Sequence, residues 1–187
     1  MAQQTYNLGF TASSLRLQEA LKIAALYVEH RNWKVVRDRV ITENQLQQRT
    51  ASSSNRLFRE LSSRLKHLAD DEIVAFVEGP DTQRLYLLWL ATRRRYAFLQ
   101  EFFVEVVKEH HRNLNYRLEY ADFDIFFNAK MDLHDELSEI TDTTRRKIRQ
   151  VTFRMMRETG LLNSDNTINP VSELLRTDSG STLENCN

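Results

Sequence analysis

Two stretches of this chain concentrate the side chains that hold phosphates. Between Arg31 and Leu68 there are nine lysines and arginines against three acids, and between Thr141 and Thr159 six against two. A lysine or arginine that reaches a nucleic-acid phosphate releases counterions, and arginine also reads guanine edges in the major groove through its paired donors. Hydroxyls precede both basic runs: Thr50, Ser52, Ser53 and Ser54 before the first, Thr143 and Thr144 before the second. Placed at a helix start, where free N–H groups and the dipole favour an anion, such hydroxyls suit phosphate contacts. The candidate contact residues are therefore Arg49, Thr50, Ser52, Ser53, Asn55, Arg56, Arg59 and Lys66, with Thr143, Thr144, Arg145, Arg146, Lys147 and Arg149. Their density suits phosphate positioning better than base readout. The plain alternative is that each basic run is the solvated face of an amphipathic helix.

Helices are needed to present these residues, and the sequence supplies the signals. In TDTTRRKIRQVTFRMMRETGLL, Thr141 or Asp142 can cap the start and Gly160 can take the left-handed turn that ends a helix. Spacing at 100° per residue puts Ile148, Val151, Thr152 and Met155 on one side. It sets Arg145, Arg146, Arg149, Gln150 and Arg157 on the other, where Phe153 is expected to be exposed. In NRLFRELSSRLKHL the apolar arc is Leu57, Phe58, Leu61, Leu65 and Leu68. The opposite arc carries Asn55, Arg56, Arg59, Ser62, Ser63, Lys66 and His67.

The remaining chain reads as helix after helix. Ser13 or Ser14 is placed as the cap of LRLQEALKIAALYVEH, Asn32 as the cap of WKVVRDRVITEN, and NQLQQR as a short helical piece. Asp70 is placed as the cap of DEIVAFVE, which Gly79-Pro80 stops, and Asp81 or Thr82 opens TQRLYLLWLATRR. A long helix over YAFLQEFFVEVVKEHHRN follows, then DFDIFFNAK and a short turn near ELSEI. With four glycines and two prolines in 187 residues, the expected class is all-α, a globular helical bundle. Residues 33–68 and 122–159 each run helix, short helix, hydroxyl-bearing turn, basic helix, which is the helix-turn-helix order twice. LLNSDNTINP suits either a short β-wing or an ordinary connector. The expected organisation is a helical domain at 1–115, a helix-turn-helix or winged-helix-like unit at 116–176 and a disordered tail at 177–187.

Net charge is zero, so nucleic-acid affinity has to come from local asymmetry. Glu119 to Glu139 is the counterweight, with seven acids and one lysine. It can repel a DNA backbone or dock a basic protein partner. Catalytic and metal readings find little support. There is no glycine-rich phosphate loop and no G-x-S-x-G elbow, and Pro80-Asp81 lacks the Glu-x-Lys of a nuclease. His110 and His111 are adjacent and cannot share a helical face. Asp132, His134, Asp135 and Glu136 read as a solvated acidic turn. The single cysteine, Cys186, excludes a thiolate site built within the chain. No catalytic residue, metal or cofactor is expected, and the longest apolar run, Leu85 to Ala91, is too short for a membrane span. A cytoplasmic location fits this pattern.

Four stretches resemble the BrxA family, the small A component of bacteriophage-exclusion (BREX) phage-defence systems. They are YNLGFTASSLRLQEALKIAALY, VRDRVITENQLQQRTASSSNRLFRELSSRL, LYLLWLATRRRYAFLQEF and TDTTRRKIRQVTFRMMRETGLL. Thr144-Arg145 stands where the family's terminal motif carries Thr-Arg or Thr-Lys. The resemblance implies an all-helical fold similar to the antitermination factor NusB, helix-turn-helix units, double-stranded DNA binding, a non-enzymatic accessory role and other BREX proteins as partners. Its rivals are a protein-interaction adaptor, docking partners through the acidic segment and Phe153, and RNA binding in the NusB manner.

Overall fold

The computed structural model describes residues 5–12 and 14–170, and within them the chain is helical with no sheet. A 3-10 turn at Gly9–Ala12 precedes α1 (Leu17–His30), α2 (Trp33–Thr42), α3 (Ala51–Leu65), α4 (Asp70–Glu78) and α5 (Asp81–Arg95). Then come α6 (Ala97–Phe102), a π-turn at Phe103–Val107, α7 (Lys108–Arg112), α8 (Tyr120–Met131), α9 (Asp135–Ser138) and α10 (Asp142–Glu158). α1 packs on α2, α3 and α4, and α5 closes that group against α3 and α4. The all-α expectation holds.

Local chemistry accounts for most boundaries. Asn32 Oδ1 accepts from the N–H groups of Lys34 and Val35, Thr50 Oγ1 from Ser53 N, and Thr141 Oγ1 from Thr144 N, so three helices start at side-chain caps. Gly160 sits at φ 73°, the left-handed region where a side chain is strained. Four boundaries depart from expectation. α1 begins at Leu17 behind a left-handed Arg16, so Ser14 caps nothing there and Ser13 lies outside the described residues. NQLQQR is a turn, because Asn44 and Gln47 both take positive φ and cannot continue a helix. α3 starts at Ala51, four residues before Asn55, because the Thr50 cap recruits the serines into its first turn. Asp70 lies inside α4, whose start is closed by Glu72 accepting from Ala69 N.

An aromatic knot ties the second half of the chain to the first. Phe98 of α6 lies 5.3 to 6.0 Å, ring centre to ring centre, from Phe123, Phe126 and Phe127 of α8, and 5.4 Å from Tyr6. Edge-to-face aromatic pairs at this range add to the area they bury. Two carboxylates secure the N-terminal strap: Glu136 accepts from Tyr6 N at 2.7 Å and Glu158 from Leu15 N at 2.9 Å. The return after α10 forms antiparallel bridges, Leu162 with Ile168 and Arg117 with Thr167, around a turn in which Asn163 N donates to Thr167 O. The expected tail at 177–187 lies outside the described residues.

Candidate nucleic-acid interface

α3 turns one face to the core and the other to an open cleft of about 780 Å³. Phe58, Leu61, Ser62 and Leu65 are buried, and Arg56, Arg59 and Lys66 project outward along the cleft. α2 contributes Trp33, Lys34 and Arg37 to the same cleft, and the end of α5 contributes Arg95. Six permanent cations therefore converge from three helices. Among the described residues, Lys34, Arg56 and Arg59 make no ion pair, and Lys66 and Arg95 only lie over the rings of Trp33 and Tyr96, at 5.4 and 5.1 Å. Arg37 reaches Asp38 at 3.8 Å and donates to Asn55 Oδ1 at 3.1 Å, which holds its guanidinium beside α3.

One acid, Glu60, faces this charge, and it is already engaged. It takes Arg64 Nη2 at 2.8 Å and the Tyr96 hydroxyl at 2.6 Å. Arg64, which belongs to neither arc drawn from the sequence, is fully buried, and its Nη1 also donates to Ser14 O at 2.9 Å. Ser62 is buried too, against the expectation that it lay on the open arc. Burial and the bond to Glu60 push the Tyr96 phenol up to about 12, so it remains a donor. Glu60 thus neutralises a core arginine, and apart from Arg37 the cleft cations have no acid partner among the described residues. His67 joins them with its basicity lowered, by burial first and then by Arg95 and Arg94.

The other predicted residues divide sharply. Arg49 and Ser52 are exposed at the start of α3, where Thr50 is the cap and Ser53 is half-buried. Thr143, Thr144, Arg146 and Lys147 are exposed on the first turns of α10, and neither Arg146 nor Lys147 has an ion pair among the described residues. Arg145 and Arg149 differ: both are half-buried and both clasp Asp124 of α8. Arg145 Nε reaches its Oδ1 at 3.2 Å and Nη2 its backbone oxygen at 3.0 Å, while Arg149 Nη1 binds Oδ2. Their guanidiniums lie 4.7 Å from the Phe127 ring centre and 4.8 Å from that of Tyr120. Arg157 donates to Asn166 Oδ1. Phe153, expected to be exposed, is buried between Tyr120 and Phe102 because α8 packs over that side of α10.

Sequence reading passed over Lys34, Arg37, His67 and Arg95 as site residues. Arg37 sits one turn from Val40 on α2, a signal too common to single out. Arg95 ends a three-arginine run whose members part company: Arg93 is buried against Phe103, Arg94 binds Glu72, and Arg95 enters the cleft. Among the described residues no group of three His, Cys, Asp or Glu side chains could hold a metal ion, and no helix is long and apolar enough to cross a membrane.

Comparison with known proteins places this architecture. The BrxA family model matches residues 4–185. A BREX protein BrxA of Bacillus cereus (strain H3081.97) is 28% identical over 163 residues, 87% of this chain and 81% of the relative. Another, from Escherichia coli O9:H4 (strain HS), is 22% identical over 150 residues, 80% of this chain and 70% of the relative. The fold is similar to the crystal structure of an uncharacterized protein from Magnetospirillum magneticum, with a TM-score of 0.77 over 92% of this chain and 90% of that one at 19% identity. With a capped, basic-faced bundle matched over nearly its whole length, the chain belongs to the BrxA family.

Proposed function

We propose that this chain is a non-enzymatic accessory protein of a BREX-type phage-defence system, working in the cytoplasm and holding double-stranded DNA by its phosphates. The observation that carries the reading is the cleft between α2 and α3, where six permanent cations converge and the one facing acid is spent on a core arginine. Unpaired cations held together repel one another, and a polyanion relieves that repulsion. Arg49, Arg56, Arg59 and Lys66 make the phosphate contacts, assisted by Ser52 and Ser53 behind the Thr50 cap. Asn55 acts through Arg37. Thr143, Thr144, Arg146 and Lys147 form a smaller second contact, with Arg145 and Arg149 bracing it from behind.

Trp33 is stacked on Tyr27 at 4.1 Å and covered by Lys66, so the cleft offers no free ring for an unpaired base. That favours a duplex backbone over a single strand. Equilibrium binding of a short duplex across a salt series tests the reading. Six engaged cations give a slope of about −5 in log affinity against log salt. A flat salt dependence, or displacement of the duplex by structured RNA at equal nucleotide concentration, overturns it in favour of an adaptor or an RNA ligand respectively.

A further inference from the structure

α8 presents a second surface, independent of the cleft. α8 buries Phe123, Phe126 and Phe127 on one side. Its other side is also apolar: Ala121, Ile125 and Ala129 recur every fourth residue, all exposed, and Leu133 follows directly after the helix. Ile125 is 69% and Leu133 58% exposed. A helix that is apolar on both sides is ordinarily covered on both. A ridge at four-residue spacing is the shape that seats in the groove of another helix.

The surroundings fix the chemistry of what covers it. The single basic residue of α8, Lys130, is withdrawn between Glu101 and Glu105, at 2.6 Å from each. Their two hydrogen bonds outweigh the effect of burial and hold Lys130 above its ordinary basicity, so it stays charged and bound. Asp132, beside Leu133 at the end of the ridge, and Asp135 and Glu139 just beyond it are exposed and make no ion pair among the described residues. On the other flank Asp124 holds Arg145 and Arg149. An apolar ridge ending in free carboxylates is complementary to an amphipathic helix with lysines or arginines beside its apolar stripe.

We infer that the outer face of α8, from Ala121 to Leu133, is a docking surface for a basic amphipathic helix of a different protein. Duplex DNA is repelled by the carboxylates. The basic helices of a second copy fit poorly, and its α8 set against this one would bring the same carboxylates together. The outward faces of α3 and α10 are basic but carry polar side chains, Arg56, Arg59 and Lys66 on one and Arg146, Lys147 and Gln150 on the other, with nothing to seat against Ile125.

Site-specific photo-cross-linking tests this in cells carrying the complete defence system. A benzoylphenylalanine replaces Ile125, and the cross-linked peptides are identified by mass spectrometry. The expected result is adducts concentrated on one protein, in a segment with Leu, Ile or Phe at helical spacing and Lys or Arg beside them. Ile125→Asp with Leu133→Asp then lowers recovery of that protein at least tenfold, while duplex affinity and melting temperature stay at wild-type values. Adducts only within this chain or to a second copy, an acidic or extended target segment, or no adduct above an unirradiated control each overturn the proposal. A failure here with salt-dependent DNA binding intact leaves the cleft reading standing.

Discussion

α3 and α10 are built from nearly the same parts. Each has a threonine cap, hydroxyls in its first turn, arginines at helical spacing and an apolar stripe against the core. They differ in where their acids are. The acid facing α3 is Glu60, on the same helix and committed inward to Arg64, so Arg56, Arg59 and Lys66 are left to solvent. The acid facing α10 is Asp124, on the neighbouring helix, and it draws Arg145 and Arg149 inward onto Phe127 and Tyr120. The two basic helices therefore differ in which of their arginines are available. What a polyanion meets depends on the partners of the arginines more than on their number.

The largest expected difference between the two comes from paired charge reversals. Arg56→Glu with Arg59→Glu removes two phosphate contacts and adds two repulsions, lowering duplex affinity about 100-fold at 0.1 M salt and flattening the salt slope by about 2. Both side chains are exposed, so the melting temperature should hardly move. Arg145→Glu with Arg149→Glu should do the reverse, setting two carboxylates of α10 against Asp124 of α8 and lowering the melting temperature while leaving most of the affinity. If the α10 pair abolishes binding at an unchanged melting temperature, the roles are the other way round.

Asp124→Ala asks the same question from the acid's side. It strands two half-buried guanidiniums, at a cost between that of an exposed pair and that of a buried one, about 2 kcal/mol. A chain of this size then melts roughly 4 to 8 °C lower. Calorimetry checks it, and a loss under 1 °C would mean that solvent satisfies these arginines equally well. The caps give a finer contrast. Thr50→Ala and Thr141→Ala should each cost about 1 kcal/mol, with serine restoring most of it. Only Thr50→Ala is expected to weaken duplex binding as well, because its helix start stands beside Arg49 and Arg56.

Much of this contrast could be read from residue order, and the missing part has a physical cause. Asn32, Thr50, Thr141 and Gly160 act within one helical turn, so their roles are local and visible in sequence. A stripe of Ile148, Val151, Thr152 and Met155 alone misplaces the sides of α10. Adding Phe153 and Met156, both fully buried, widens the stripe until it takes in Arg145 and Arg149. A helix covered on two sides, by the core and by α8, has a broad apolar arc, and arginine stems suit its edge. The cleft was hidden for a different reason. Arg95 is nearly thirty residues from Lys66 in sequence, and only the packing of α5 on α3 brings them together. Spacing sets Arg64 beside Leu57 and Leu61 on the apolar side, but what makes its burial tolerable, Glu60 and Ser14 O, is visible only in the packed structure.

The smallest expected effect is also the most local, because it rests on one side chain that α10 lacks. His67 lines the cleft with Lys66 beside it on its own segment, Lys34, Arg37 and Arg59 along the walls, and Arg94 and Arg95 arriving from α5. Glu72 of α4 is spent on Arg94, Asp38 on Arg37 and Glu60 on Arg64, so among the described residues no acid pairs with Lys34, Arg59, Lys66 or Arg95. Burial and these cations hold the imidazolium below its ordinary range near 6.5, and the free protein keeps His67 neutral where the unfolded chain would bind a proton. Below about pH 6.5 the unfolded state therefore takes up more protons, and this group makes folding weaker as the pH falls through that window. Bound phosphates reverse the local field and favour the charged ring, so duplex affinity should move the opposite way and rise on acidification. Between pH 7.5 and 6.0 at fixed salt, affinity should increase about threefold in the wild type, with no such increase attributable to the ring in His67→Gln. The four other histidines are common to both proteins, so the difference between them isolates this position. If both proteins show the same pH dependence, the duplex does not approach the α2–α3 cleft. Contact through Arg146 and Lys147, on a helix without a histidine, would then have to account for the binding.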